Sequence, residues 1–242
     1  MSRIRHAELK AGRALEHLDA LKTEFEAYYN SSPITVTRDT SSDGTRRILR
    51  VHFSSPDERL HLIAGDFVHN LRSALDHIVY ALVVESSGQL PTSRSIQWPV
   101  LEAPNESCLK RQINGASEGA SILIESLQPY NSPCPLKQNH LWRLSKLDII
   151  DKHRRITFNE HAVNASFPGL TPSSDFTKDA TDDGFKVSFP FNGPPVEMQY
   201  DPRPEVLFGD STEGLSVCYK DLEAMYVFVA TQVIPRFIPF LP

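Results

Sequence analysis

Cysteine is scarce and scattered in this chain. Cys108, Cys134 and Cys218 are odd in number, far apart and never in a CxxC pair. That pattern argues against a disulfide scaffold or a cysteine-bound zinc and fits a reducing, cytoplasmic compartment. Long apolar runs are missing too. The longest, residues 78–84 and the interrupted tail 226–242, are too short or too broken to span a bilayer, so no membrane is expected as a partner. The opening MSRIRHAELK lacks the apolar stretch of a signal peptide. No single sign of charge dominates: 25 Lys+Arg face 30 Asp+Glu, a net charge of −5. The balance excludes a wholly disordered chain and gives no global attraction for nucleic acid. Polyanion binding would need local patches such as Arg46, Arg47 and Arg50, or Lys152, His153, Arg154 and Arg155. GxxxxGK[ST], GxGxxG and HExxH are all absent, which takes away the phosphate-loop, dinucleotide-loop and zincin signatures.

What is present is a chain of 242 residues, 40% of them hydrophobic, long enough to bury a large core without metal or disulfide. Over residues 3–29, Ile4, Ala7, Ala11, Ala14, Leu18, Leu21, Phe25 and Tyr28 recur at steps of three and four, the period of an amphipathic helix. Residues 34–39 and 46–53 alternate as a β-hairpin around a Ser-Ser-Asp-Gly turn. Ser55 as N-cap, Pro56 at the first helical position and Glu58 in a capping box predict a long helix to Ser86, stopped by Gly88. Shorter helices are expected over 105–114 and 117–128, and a further one over 138–156. Short β-like runs follow at 156–163, 185–191, 196–200, 205–208 and 215–219, with 173–184 as a loop. A last apolar helix, 220–233, should end at Pro235. These elements predict one α+β domain: a helical core of long antiparallel helices over 3–156 carrying the hairpin 34–53, then a β-rich part 157–219 and a final helix 220–234.

The chemical clue lies on the long helix. Leu60, Ala64, Phe67, Leu71, Ala74, Leu75, Ile78 and Leu82 share its core face. The other side carries Asp66, His69, Asn70, Ser73, Asp76 and His77, with Arg72 at the edge. A merely hydrated face is normally built of Lys and Glu, the better helix formers. Asp, Asn, Ser and His are poorer ones, so their clustering points to hydrogen bonding, ion binding or chemistry. On the helix over 138–156, Asp148, Asp151 and Arg155 share one face and His153 another, which suggests Arg72–Asp151 or Asp76–Arg155 pairs between the helices. Isolated histidines elsewhere, His6, His17 and His140, read as surface or core residues.

Three chemistries fit the stripe. The first follows from Arg72-Ser-Ala-Leu-Asp-His77, an Arg-x4-His on a helix, which resembles the signature of the HEPN superfamily of helical, RNA-cleaving toxins and defence effectors. The resemblance implies metal-independent cleavage of RNA in a homodimer with a composite site. His77 would move the proton of a ribose 2′-hydroxyl, Arg72 would hold the phosphate, and Asn70 or Asp76 would orient the pair. No cofactor is implied. The second is a metal site from Asp66 and His69, or Ser73 and His77, completed by Asp148, Asp151 or His153. The third is a cytoplasmic interaction or sensing module, binding a protein partner, whose buried polar network is structural. More broadly, GDFVHNLRSALDHIVYALV (65–83) and LWRLSKLDIIDKHRRI (141–156) resemble a widespread bacterial family with similar HNLRSALDH and DKHR helices and no established activity. That likeness singles out Asp66, His69, Asn70, Arg72, Asp76, His77, Asp151, Lys152, His153 and Arg154.

Overall fold

The computed structural model describes residues 4–91, 95–153, 157–162, 165–166, 177–181, 184–190, 199–200, 205–210 and 214–241. The first helix, α1 (Arg5–Asn30), buries the apolar positions that the spacing marks: Ile4, Ala7, Ala11, Ala14, Leu18, Leu21, Phe25 and Tyr28. A hairpin of β1 (Ile34–Thr40) and β2 (Arg46–Phe53) follows, in the register Ile34↔Phe53 to Thr40↔Arg47. The second long helix, α2 (Arg59–Ser87), starts three residues later than the Ser55–Glu58 pattern predicts. Asp57 caps it instead, its Oδ1 accepting from the Arg59 N–H at 2.8 Å. At the other end Gly88, at φ +67, closes the helix by donating its N–H to the Val84 carbonyl, as a left-handed terminal glycine does.

Next come α3 (Glu106–Gln112), capped by the Asn105 side chain, α4 (Glu118–Ser126) and α5 (His140–His153). The strands β3 (Thr157–Ala162), β4 (Ala165–Ser166), β5 (Thr177–Thr181), β6 (Gly184–Pro190), β7 (Gln199–Tyr200), β8 (Glu205–Asp210) and β9 (Leu215–Val217) follow. One sheet has the order β1-β2-β6-β5, another β3-β8-β9, and β4 pairs with β7. β5 falls inside 173–184, where a loop is expected. Its five residues are all exposed, so it shows no apolar alternation and is held by backbone pairing to β6.

The C-terminal helix also departs from expectation. After α6 (Tyr219–Val227) the chain passes through a π-helical segment, Phe228–Val233, into α7 (Ile234–Phe237), so Pro235 does not end the helical path. The wider turn carries the Ile234 N–H to the Val229 carbonyl. An inserted π turn of this kind re-phases the backbone just ahead of a proline that cannot donate.

The chain divides into two compact units. One comprises residues 1–22, 61–158 and 208–242, the other 23–60 and 159–207. The second has its own apolar cluster of Leu49, Val51, Phe185, Val187 and Phe189, alternate residues of the paired strands β2 and β6. The first is helical and holds every described residue of the polar stripe. Its core includes Phe67, Leu71, Leu75, Ile78 and Leu82 of α2, with Trp98 edge-on to Phe237 at 5.5 Å. No helix among the described residues is long and apolar enough to cross a membrane.

Candidate functional site on the polar face of α2

The polar stripe of α2 separates into three groups with different neighbours. At its edge, Arg72 is only 8% exposed. It donates to Asp76 Oδ1 at 2.5 Å and to the Trp98 carbonyl at 2.8 Å, while the Trp98 N–H donates to the same Asp76 Oδ1 at 2.8 Å. The guanidinium, the carboxylate and the backbone of one residue thus close a ring. Both backbone polar groups of Trp98 are satisfied there as a neighbouring strand would satisfy them, while its fully buried indole leaves Nε1 without a hydrogen-bond partner. Buried Gln128 continues the same work, accepting from the Leu101 N–H and donating to the Pro99 carbonyl. Arg72 therefore pairs along its own helix and not with Asp151 as the sequence suggests, because the extended segment beside it brings peptide groups that need partners.

The second group lies between α1 and α2, which run antiparallel in this unit. The His77 ring is tilted against His6 with centroids 5.8 Å apart. A turn away, Lys10 donates to Asn70 Oδ1 at 3.1 Å, and Asn70 Nδ2 donates back to the Asp66 carbonyl at 2.8 Å. Burial, together with the nearby His6 and Lys10, lowers the His77 pKa below the usual imidazole value, with Asp76 opposing. His77 thus favours its neutral, proton-accepting form near neutrality. Ser73 sits partly buried on the same face. His6 is exposed, as a surface residue is expected to be, and this ring contact gives it a neighbour on α2. His6, Lys10, Arg13 and His17 repeat at i, i+4, i+7 and i+11, a stripe on α1 that the sequence displays but that gains meaning only when α2 lies beside it.

The third group joins α2 to α5. Asp148 is buried, with Lys152 Nζ on its Oδ2 at 2.6 Å and His69 Nδ1 at 3.5 Å from its Oδ1. The latter is an ion-pair distance without hydrogen-bond geometry, and Oδ1 has no hydrogen bond. Asp151 is half-buried, its carboxylate laid on Gly65 so closely that a Cβ there would stand 2.4 Å from Oδ1. Burial, then the neighbouring Asp148 and Asp66, raise the Asp151 pKa against the pull of His69 and Lys152. Glycine inside a helix costs about 1 kcal/mol relative to alanine, so its place at 65 is explained by what rests on it. His153 is exposed at the end of α5, and Arg154 and Arg155 lie outside the described residues, with the suggested Asp76–Arg155 pair.

The structure thus brings His77 to His6, Asn70 to Lys10, and His69 to Asp148, but it sets Arg72 into the interior with Asp76. Among the described residues, no three His, Cys, Asp or Glu side chains are grouped to hold a metal ion. The chain matches no protein-family model, no curated protein and no solved structure.

Proposed function

We propose that this is a cytoplasmic, metal-independent ribonuclease or RNA-binding protein whose reacting groups lie between α1 and α2, with His77 and His6 moving protons and Lys10 facing the phosphate. The observation that supports this reading most is the pairing of His77 with His6, one ring of which is disposed to stay neutral at pH 7. Neutral His77 takes the proton from a ribose 2′-hydroxyl. The resulting 2′-oxygen attacks phosphorus, the P–O5′ bond breaks, and His6 gives a proton to the leaving 5′-oxygen. The products are a 2′,3′-cyclic phosphate and a 5′-hydroxyl, and no metal is needed. Lys10, steadied by Asn70, offsets charge on the non-bridging oxygens. Arg72 holds the Trp98 segment instead of the substrate, which departs from the Arg-x4-His expectation. The homodimer which that resemblance implies remains part of this proposal.

The test is cleavage of a single-stranded RNA in EDTA. His77→Ala and His6→Ala should each lower the rate by about 10²–10⁴-fold, the usual worth of a positioned acid or base, without loss of fold. Cleavage unchanged in both variants would overturn the reading. A second reading, a non-catalytic interaction module, is favoured by the closed Arg72–Asp76–Trp98 ring, which accounts for two stripe residues by stability alone. It expects no cleavage from the wild type at any pH and a partner retained by His77→Ala.

A further inference from the structure

The α2–α5 group is chemically unlike the α1–α2 group and takes no part in the reaction above. Asp66 and His69 on α2, and Asp148 and Asp151 on α5, are two i, i+3 pairs on helices that meet at Gly65 and Asp151. Three carboxylates are set against one lysine and one imidazole. The Asp148 side chain is only 6% exposed, yet its Oδ1 carries no hydrogen bond, an arrangement that ordinarily costs stability. Oδ2 of the same carboxylate already takes an ammonium, that of Lys152, at 2.6 Å. His69, 54% exposed and not hydrogen-bonded to Oδ1, is the cover over that free oxygen. Gly65 lets the Asp151 carboxylate lie directly against α2, since any side chain there would collide with it.

Three carboxylates repel phosphate or another anion, and no trio of these groups is arranged around a metal. The remaining chemistry is a hydrogen-bonding organic cation. We infer that the α2–α5 junction around Gly65 is a receptor for an alkylammonium or guanidinium group, which swings His69 aside, donates to Asp148 Oδ1 and lies between Asp66 and Asp151. The raised pKa of Asp151 agrees with an excess of negative charge that such a group would relieve. The cation has two sources of the same chemistry, a free polyamine or a lysine or arginine side chain of a basic polypeptide.

Spermidine, arginine ethyl ester, MgCl₂ and MnCl₂, added to the full-length protein at constant ionic strength, separate the cases. Saturable shifts of the His69 imidazole signals, followed by NMR, should appear with spermidine or the arginine ester. Apparent affinity should fall at least about tenfold in Asp148→Asn and in Asp151→Asn. It should rise in Lys152→Met, which removes the resident ammonium. Asp151→Asn keeps the test decisive if Asp148→Asn unfolds. Tighter binding of spermidine points to a free polyamine, and response to the arginine ester alone points to a basic polypeptide. The inference is overturned if neither organic cation gives a saturable shift, if the shifts persist in Asp151→Asn, or if Mn²⁺ alone binds. None of these readouts measures RNA cleavage, so the receptor and the ribonuclease reading fail separately.

Discussion

Arg72 and His77 are five positions apart on one helix, about 140° around its axis, and that separation gives them different work. Arg72 meets a peptide unit, while His77 meets a second imidazole. Truncating Arg72 leaves the Trp98 carbonyl without its donor and the Asp76 carboxylate with the Trp98 N–H but no countercharge. Arg72→Ala should therefore cost about 2–4 kcal/mol in urea unfolding. Arg72→Lys should recover only part of this, because one ammonium cannot span both acceptors as a guanidinium fork does. A variant as stable as the wild type would show that the ring contributes nothing net. His77 acts in a pH window. Its folded pKa lies below the ordinary 6.5, so below that pH the unfolded chain binds the proton that the folded chain refuses. Stability from this group is full above pH 6.5 and falls as the pH drops towards the folded value. His77→Gln should flatten the profile between pH 5 and 7, as read by unfolding midpoints across that range; an unchanged slope would contradict the assignment.

At the scale of elements, Gly65 and Asp151 decide how closely α5 approaches α2. Gly→Ala in a helix interior normally stabilises by about 1 kcal/mol. Here the new methyl would meet the Asp151 carboxylate, so Gly65→Ala should destabilise by about 1–3 kcal/mol, the range for overpacking. The double variant Gly65→Ala/Asp151→Ala should regain most of that loss, and equal losses in the single and double variants would rule out the contact as its cause. Asp151 itself carries the opposite sign to His77. Its folded pKa is raised above 3.8, so the folded chain holds the proton better, and stability is present below pH 3.8 and lost as the pH rises through the folded value. Asp151→Asn is accordingly expected to be more stable than the wild type at pH 7, by thermal denaturation. These elements also mark how far the sequence is legible. The steps of three and four foretell the buried face of α1 and the centre of that of α2, but not its wider burial at Val68, Val79, Ala81 and Val83, and the poor helix formers on α2 foretell a polar face with neighbours. They do not say which neighbours. The partner of Arg72 is a backbone amide and carbonyl, invisible in a side-chain pattern, and the partner of His77 is a histidine some seventy positions away. β5 and the passage through Pro235 escape for a related reason, since each depends on backbone hydrogen bonds and not on apolar spacing.

For the whole molecule, the two compact units are interleaved along the chain and differ in how their contacts are spaced. In the helical unit, α2 forms from hydrogen bonds four residues apart, and α3, α4 and α5 follow within one continuous stretch. In the other, β2 pairs with β6 in a register that joins Arg47 to Phe189 and Val51 to Phe185, so residues 61–158 must be spanned before that ladder can close. Closing a loop of that length costs chain entropy before any contact repays it, and sheets built from distant strands form slowly for this reason. The apolar cluster of Leu49, Val51, Phe185, Val187 and Phe189 is split between the two strands, so neither segment can bury it alone. Pulse-labelling hydrogen exchange during refolding should therefore find the α2 amides from Phe67 to Leu82 protected before those of β6. Simultaneous protection would mean that the two units fold as one. The late sheet also has an exposed strand, β5, at one edge, made of Thr177, Lys178, Asp179, Ala180 and Thr181. Its charges and lack of large apolar residues disfavour pairing with another chain while the ladder is incomplete. Replacing Lys178 and Asp179 by valine should leave the folded state near its original stability and increase aggregation during refolding, as measured by light scattering.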